Sequence, residues 1–251
     1  MPRQTASNRL KIRTFSSVAK FNGTTDQIDL GSSGAIAAAT PTFSCAAWFK
    51  RDKTAAGVTA IVGDNNNAAQ NHWNFQVQGA SRKLLTTIIT SGGAKALVGV
   101  RNVPVFQWCH AVLVYDGAFI YWYLNGTVDA STTHTGTVLA STTGMFIGTG
   151  SAPIGGAYRY WEGGISEVKY WNRALSSSEV AELYFEQSNS ASLRNSLQGE
   201  WLLSGNALDT SGNGNNGTVT GVTYDSSDVP LSSRVLTGNS RTPATNRTFI
   251  T

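Results

Sequence analysis

Cysteine, histidine and charge are all scarce in this sequence, and each scarcity removes a class of protein. Two cysteines in 251 residues are no disulfide framework. Cys45 and Cys109 both fall in runs that read as strands and are expected as buried free thiols, with a single cross-strand disulfide as the rival. His72, His110 and His134 lie far apart in sequence, and no serine sits in a G-x-S-x-G elbow. No apolar run approaches the ~18 residues of a membrane span. The opening MPRQTASNRLKIRTFSSV holds no apolar core of about seven residues such as a secretory signal carries, so neither membrane insertion nor classical export is expected. Long helical periodicity is nearly absent.

Only 14% of residues are charged, and the formal net charge is +4. Arg3, Arg9, Lys11, Arg13 and Lys20 all precede the first acid, Asp26, so the basic balance belongs to the N-terminal stretch rather than to a folded surface. That distribution does not support a nucleic-acid partner.

Glycine is abundant (26 residues), and Ser, Thr, Asn and Gly interrupt short apolar runs roughly every ten residues, the pattern of an all-β sandwich. One core is the simplest reading of this length. The most legible stretch is Trp108 to Val128, in which two aromatic and β-branched runs flank Asp116-Gly117 and the second ends at Asn125-Gly126. Strand alternation puts Ile120, Trp122 and Leu124 on one face and Phe119, Tyr121 and Tyr123 on the other. Both faces are apolar and both are expected to be covered, the outer one by an arm, the C-terminal strand or a neighbouring subunit.

Residues 1–17 read as a basic extended arm, 18–225 as the sandwich and 226–251 as a second arm. Strands are expected at Phe43 to Lys50, Thr59 to Gly63, Leu84 to Thr90 and Ala96 to Val100, and Tyr158 to Tyr170 reads as a strand region broken at Gly163-Gly164. Leu175 to Gln187 is the one convincing helix: Ser176 and Glu179 form a capping box, and Val180, Leu183 and Tyr184 a stripe that docks it on the sandwich. Residues 188–198 read as linker and 199–225 as closing strands.

The order of these pieces resembles the laminin-G-like, concanavalin A-like jelly-roll superfamily over about residues 18–187. The resemblance is carried by Phe21, Gly23, Asp26 and Ile28, by Ala47-Trp48, and by Trp108, His110, Tyr115, Asp116 and Gly117. Tyr123, Asn125 and Gly126, Ile147-Gly148, and the block Gly164, Ile165, Glu167, Val168, Trp171 to Leu175 and Ser176 complete it. It implies a jelly-roll β-sandwich with one short helix and extended N- and C-terminal arms. The W-x-L…D-x-S-G-N-G-N-x-G-T motif normally precedes the first strand in such domains, yet here Trp201 to Thr218 follows the helix, so it closes either its own sandwich or a neighbour's.

Jelly-roll glycosidases carry an E-x-D-x-E strand, because retaining hydrolysis needs two carboxylates about 5 to 5.5 Å apart. Here the acids Asp64, Asp116, Asp129, Glu162 and Glu167 are isolated, and no enzyme is expected. Glycan binding needs aromatic platforms with planar amides. Asn71, His72 and Trp73 with Asn74, and Tyr158, Tyr160 and Trp161, offer them, against the plain alternative that Trp73 and Trp161 are core. Asp209, Asn213 and Asn215 are hard oxygen ligands that would suit Ca²⁺, as would Asp64 to Asn67; an Asn-Gly turn has the same composition without an ion, and no other cofactor is expected. Arg3, Arg9, Lys11 and Arg13, with Phe119, Tyr121 and Tyr123, are the expected assembly surface.

These pieces lead to an expectation of a non-enzymatic structural and binding protein. The leading form is a phage virion surface component, a capsid decoration or tail protein made in the host cytoplasm, bound to other structural subunits through its arms and touching cell-surface glycans. A free-standing extracellular lectin or adhesin is the alternative.

Overall fold

A computed structural model describes residues 16–53, 57–64, 72–150, 159–185 and 190–230. The chain enters through β1 (Val18–Asn22), β2 (Gln27–Asp29), β3 (Phe43–Arg51), β4 (Thr59–Asp64), β5 (Asn74–Val77), β6 (Lys83–Thr90) and β7 (Gly93–Asn102). It continues through β8 (Cys109–Tyr115), β9 (Phe119–Leu124), β10 (Thr127–Thr133), β11 (Met145–Ile147) and β12 (Glu162–Trp171). Helices α1 (Ser177–Phe185) and α2 (Ala191–Arg194) and strands β13 (Leu197–Trp201), β14 (Thr218–Thr220) and β15 (Thr223–Asp225) complete it. One sheet runs β10-β9-β8-β3-β12-β1-β15, with β13 added to the second half of β12; the other runs β14-β2-β11-β4-β5-β6-β7. Two antiparallel sheets with little helix make the all-β sandwich that the alternating sequence demands.

The inner faces meet through rings. Trp73 and Tyr170 stack with centroids 5.8 Å apart and planes 3° from parallel, Phe43 lies 4.9 Å from Trp73, and Phe75 lies 4.8 Å from Trp122. Ile120, Trp122 and Leu124 point into this core, as strand alternation predicts. Cys45 pairs in register with Leu113 and Cys109 with Phe49, so the thiols are not cross-strand neighbours and both are free. Burial pushes both thiols up, Cys109 to about 11.

The outer face of the larger sheet has its own cover. Val180 and Leu183 of α1 pack with Val112, Val114, Tyr123, Trp171 and Leu175. The cover expected from an arm, the C-terminal strand or a neighbour is therefore supplied, over Tyr123, by the chain's own helix. The stretch read as linker contains α2, capped by Ser190, whose hydroxyl accepts from Leu193 N–H at 3.3 Å, and Leu197 already belongs to β13. A single helical turn has no period to read in sequence.

Nor is β12 broken at its glycines. Gly163 has φ +134°, and a Cβ there would stand 2.0 Å from the Lys50 carbonyl oxygen; one on Gly164 would meet the Trp108 indole at 2.7 Å. These glycines let a neighbouring strand and a tryptophan press against the ladder.

The C-terminal segment closes its own sandwich. β14 pairs with β2 at the edge of one sheet and β15 with β1 at the edge of the other, with only Gly221-Val222 between them. At the opposite side Asp129, whose side chain is fully buried, accepts from Val100 N–H at 3.1 Å, Arg101 N–H at 2.9 Å and Arg101 Nε at 2.9 Å. Arg101 Nη2 donates on to the carbonyls of Leu124 and Thr127. One carboxylate thus seals the gap between the outermost strands β7 and β10 and satisfies two edge donors.

Asp129→Ala is expected to lower stability by about 2–4 kcal/mol in urea titration, because two backbone donors and a guanidinium lose their acceptor; Arg101→Lys, which keeps the carboxylate, is expected to cost less. Thiol reagents are expected to label Cys45 and Cys109 only after denaturation.

Candidate functional site

The glycan platform expected from sequence does not assemble. Trp73 and Trp161 are fully buried in the core, Trp161 with its Nε1 donating to the Gly164 carbonyl at 3.3 Å, and their rings pack against other core rings. His72 is buried, with ring nitrogens against the carbonyls of Leu139 and Ile36, and burial pulls its pKa down to about 4. Tyr160 is half-buried, while Asn71 and Tyr158 lie outside the described residues. Alternation explains the error: residues flanking Asn74 on β5 must face inward when Phe75 and Val77 do.

The loop read as a calcium cage is a backbone staple. Asp209 Oδ1 accepts from Glu200 N–H at 3.0 Å and Ser211 N–H at 2.8 Å, and Oδ2 accepts from Asn215 N–H at 2.9 Å. Asn213 Nδ2 donates to the Leu197 carbonyl at 3.0 Å and Asn215 Nδ2 to that of Gln198 at 2.7 Å. The carboxylate is spent on amides, and the side-chain amides turn their donors, not their oxygens, to the neighbouring strand. Of the other cluster, Asp64 is buried, accepting from Thr143 Oγ1 at 2.6 Å, and Asn65 to Asn67 lie outside the described residues.

An open groove of about 370 Å³ runs instead along the outer face of β9. Val114, Tyr121 and Tyr123 form its floor, Ala174 to Ser177 one wall, and Asp116 closes one end. Phe119, 39% exposed, continues the row: Phe119 and Tyr121 centroids are 5.8 Å apart and those of Tyr121 and Tyr123 6.4 Å. On the far side β10 sets exposed Ser131 across from Tyr121 and Thr133 across from Phe119. Asp116 is held by its turn, Oδ1 accepting from Ala118 N–H at 2.8 Å and Phe119 N–H at 2.6 Å. A shallow site with aromatic faces, hydroxyl rims and one carboxylate suits a ligand that is apolar on its faces and polar at its edges.

The three aromatic residues were expected to form an assembly surface. Tyr123 is unavailable for that, being buried beneath α1, while Tyr121 lines a groove and Phe119 is exposed beside it. Arg3, Arg9, Lys11 and Arg13 lie outside the described residues. Sequence reasoning missed Ser131, Thr133 and Ser176 as rim residues, although their strand register and helix-capping position were both readable.

A family model described as the concanavalin A-like lectin/glucanases superfamily matches residues 22–181. This chain belongs to that superfamily. A comparison with curated proteins finds no match. Among solved structures, a candidate carbohydrate binding protein from Bacteroides ovatus is 19% identical with a TM-score of 0.65, covering 86% of this chain, which spans 62% of that one. A heptameric SAP-like pentraxin from Limulus polyphemus is 16% identical (TM-score 0.60), covering 85% of this chain and 96% of its own. The CBM40 of Ruminococcus gnavus IT-sialidase, bound to α2,3-sialyllactose, is 14% identical (TM-score 0.54), covering 67% and 96%. At these identities the likeness is one of fold.

In this concanavalin A-like sandwich the groove wall hangs on one ion pair. Arg173 donates to both oxygens of Glu179, at 2.9 and 2.7 Å, and to the carbonyls of Ser192 and Asn195, tying α1 to α2. Glu179 also accepts from Ser176 N–H at 2.9 Å, the capping box the sequence predicts. Ser44 Oγ accepts from Leu175 N–H at 2.9 Å and donates to the Arg173 carbonyl, pinning the wall to β3. A buried charged cluster on this face, Lys169 between Glu167 (3.6 Å) and Glu200 (3.4 Å), does not line the groove.

The Arg173 contacts pull the Glu179 carboxyl down to about 2. Its contribution is therefore complete above the ordinary value of 4.5 and disappears as pH falls toward 2. Acid titration followed by tryptophan fluorescence is expected to show α1 loosening across that window, since Tyr184 stacks on Trp48 at 5.7 Å. Glu179→Gln is expected to lower the melting temperature at neutral pH and to flatten the acid dependence.

Proposed function

We propose that this chain is a non-catalytic carbohydrate-binding domain displayed on an assembled particle, such as the surface of a virion, with the β9 groove as its binding site. The observation that carries the display reading is where the chain leaves the sandwich. Val18 and Asp225 are register partners on β1 and β15, so both terminal segments depart from the same place on one edge of the larger sheet. β10 is the opposite edge strand, and β9 beside it lies five strand spacings from β15, about 24 Å. Anchoring at one edge leaves the groove facing out at the other.

The exit is fixed. Lys20 Nζ donates to Asp52 and to Asp228, the latter at 3.1 Å, and Lys50 pairs with Asp228 as well. Ser16 Oγ meets Ser204 Oγ at 2.6 Å. Beyond these clamps, residues 1–15 carry Arg3, Arg9, Lys11 and Arg13 and residues 231–251 carry Arg234, Arg241 and Arg247, without an acid in either stretch. Two terminal stretches of basic sequence suit an acidic protein surface on the particle.

Relatives in fold described as carbohydrate binding or bound to a saccharide support the ligand class. The non-catalytic reading rests on the lining: among the described residues the groove holds one carboxylate, Asp116, whereas glycoside hydrolysis by either common route uses two.

Deleting residues 1–17 is expected to leave a folded sandwich with unchanged glycan binding that no longer joins its particle, as read by co-sedimentation. Normal incorporation of the shortened chain, or tight glycan binding by a protein that never joins a particle, points instead to a free-standing lectin.

A further inference from the structure

We infer that the β9 groove selects a soluble, uncharged, linear glycan over crystalline or acidic polysaccharides, with Asp116 as the residue that sets the charge preference. The inference rests on the carbohydrate-binding reading above and goes further by naming the class.

Linearity follows from the row. Phe119, Tyr121 and Tyr123 occupy alternate positions of one strand, so their rings share a face; Tyr123 is buried, and the two rings that reach solvent, Phe119 and Tyr121, have centroids 5.8 Å apart. Consecutive sugars of one chain can each lie against a ring, whereas a single terminal sugar engages only one. The exposed hydroxyls of Ser131 and Thr133 flank the same rings and meet the hydroxyl edge of each sugar.

Solubility follows from the tilt. The two accessible rings, Phe119 and Tyr121, are inclined by 34° on their twisted strand. A rigid crystalline face cannot lie flat on both of them. A single chain in solution can, since it rotates about its glycosidic bonds.

Charge follows from Asp116. Among the described residues it has no ion-pair partner, and the nearest guanidinium on the wall, Arg173, is committed to Glu179. Its turn holds it in place, Oδ1 accepting from the Ala118 and Phe119 N–H groups. A uronic or sialic acid entering this end therefore meets a fixed like charge, while a neutral or amino sugar meets an acceptor.

The test is calorimetric titration of the full chain with neutral oligosaccharides of glucose, mannose and N-acetylglucosamine from one to six units, with oligogalacturonides of matched length and with 3′-sialyllactose, alongside sedimentation with microcrystalline cellulose. The expected result is affinity for at least one neutral series that rises about tenfold or more from one to two units and then levels off. Tyr121→Ala, checked for an unchanged melting profile, should weaken that binding about tenfold or more. Asp116→Asn, which keeps the turn's acceptor oxygen, should narrow the neutral-to-acidic preference about tenfold. Preference for the acidic or crystalline probe, or binding indifferent to Tyr121→Ala, overturns the inference while leaving the carbohydrate reading intact. Absence of binding to every probe removes that reading, and the inference with it.

Discussion

Trp73 and Phe75 interleave with Phe43, Phe49, Trp122 and Tyr170 across the gap between the sheets, and the layout of both outer faces follows from that contact. Side chains alternate with a period of two, so fixing Trp122 inward fixes Tyr121 and Tyr123 outward. A slip of one residue would empty the core and bury the groove. The ladders absorb irregularity without slipping: register shifts occur at Ala60/Val62, Val128/Ala130 and Ser166/Lys169, and the core residues beyond each one still face inward. Deleting one such ring typically costs 3–5 kcal/mol, a large part of a domain's whole margin.

The groove exists because two covers differ in size. The larger sheet carries an apolar cluster on its outer face from β12 to β9, and α1, nine residues long, is docked over only part of it. Val112, Val114 and Tyr123 are buried, Tyr121 is half-buried, and Phe119 emerges. The gradient along one strand turns what would otherwise be hidden core into a ligand-sized trench, walled by the capping residues of the helix that covers the rest.

Much of this was legible beforehand. The Asp116 and Asn125-Gly126 turns, the inward set Ile120, Trp122 and Leu124 and the Ser176–Glu179 cap all follow from local rules, and the structure has each of them. The docking stripe of α1 and the unsatisfied outer face of β9 were both visible too, but local patterns do not say that one answers the other across more than fifty residues of chain. Trp73 and Trp161 misled because an aromatic beside amides looks alike whether it faces a ligand or a core. A carboxylate that gathers amide hydrogens, as Asp209 does, has in sequence the same composition around it as one that gathers a cation, which is why both readings of the loop stood open.

The pairing of β15 with β1 also sets an order of events. Val18 and Asp225 are more than 200 residues apart, so β1 leaves the ribosome before the other strands of the sandwich and waits for all of them to be made before its last neighbour arrives. At ordinary elongation rates that is about ten to forty seconds with an open strand edge, the interval in which edge-to-edge aggregation competes with folding. The brevity of β1 and the central Lys20, charged and outward-facing, are the protections a nascent chain has during that wait.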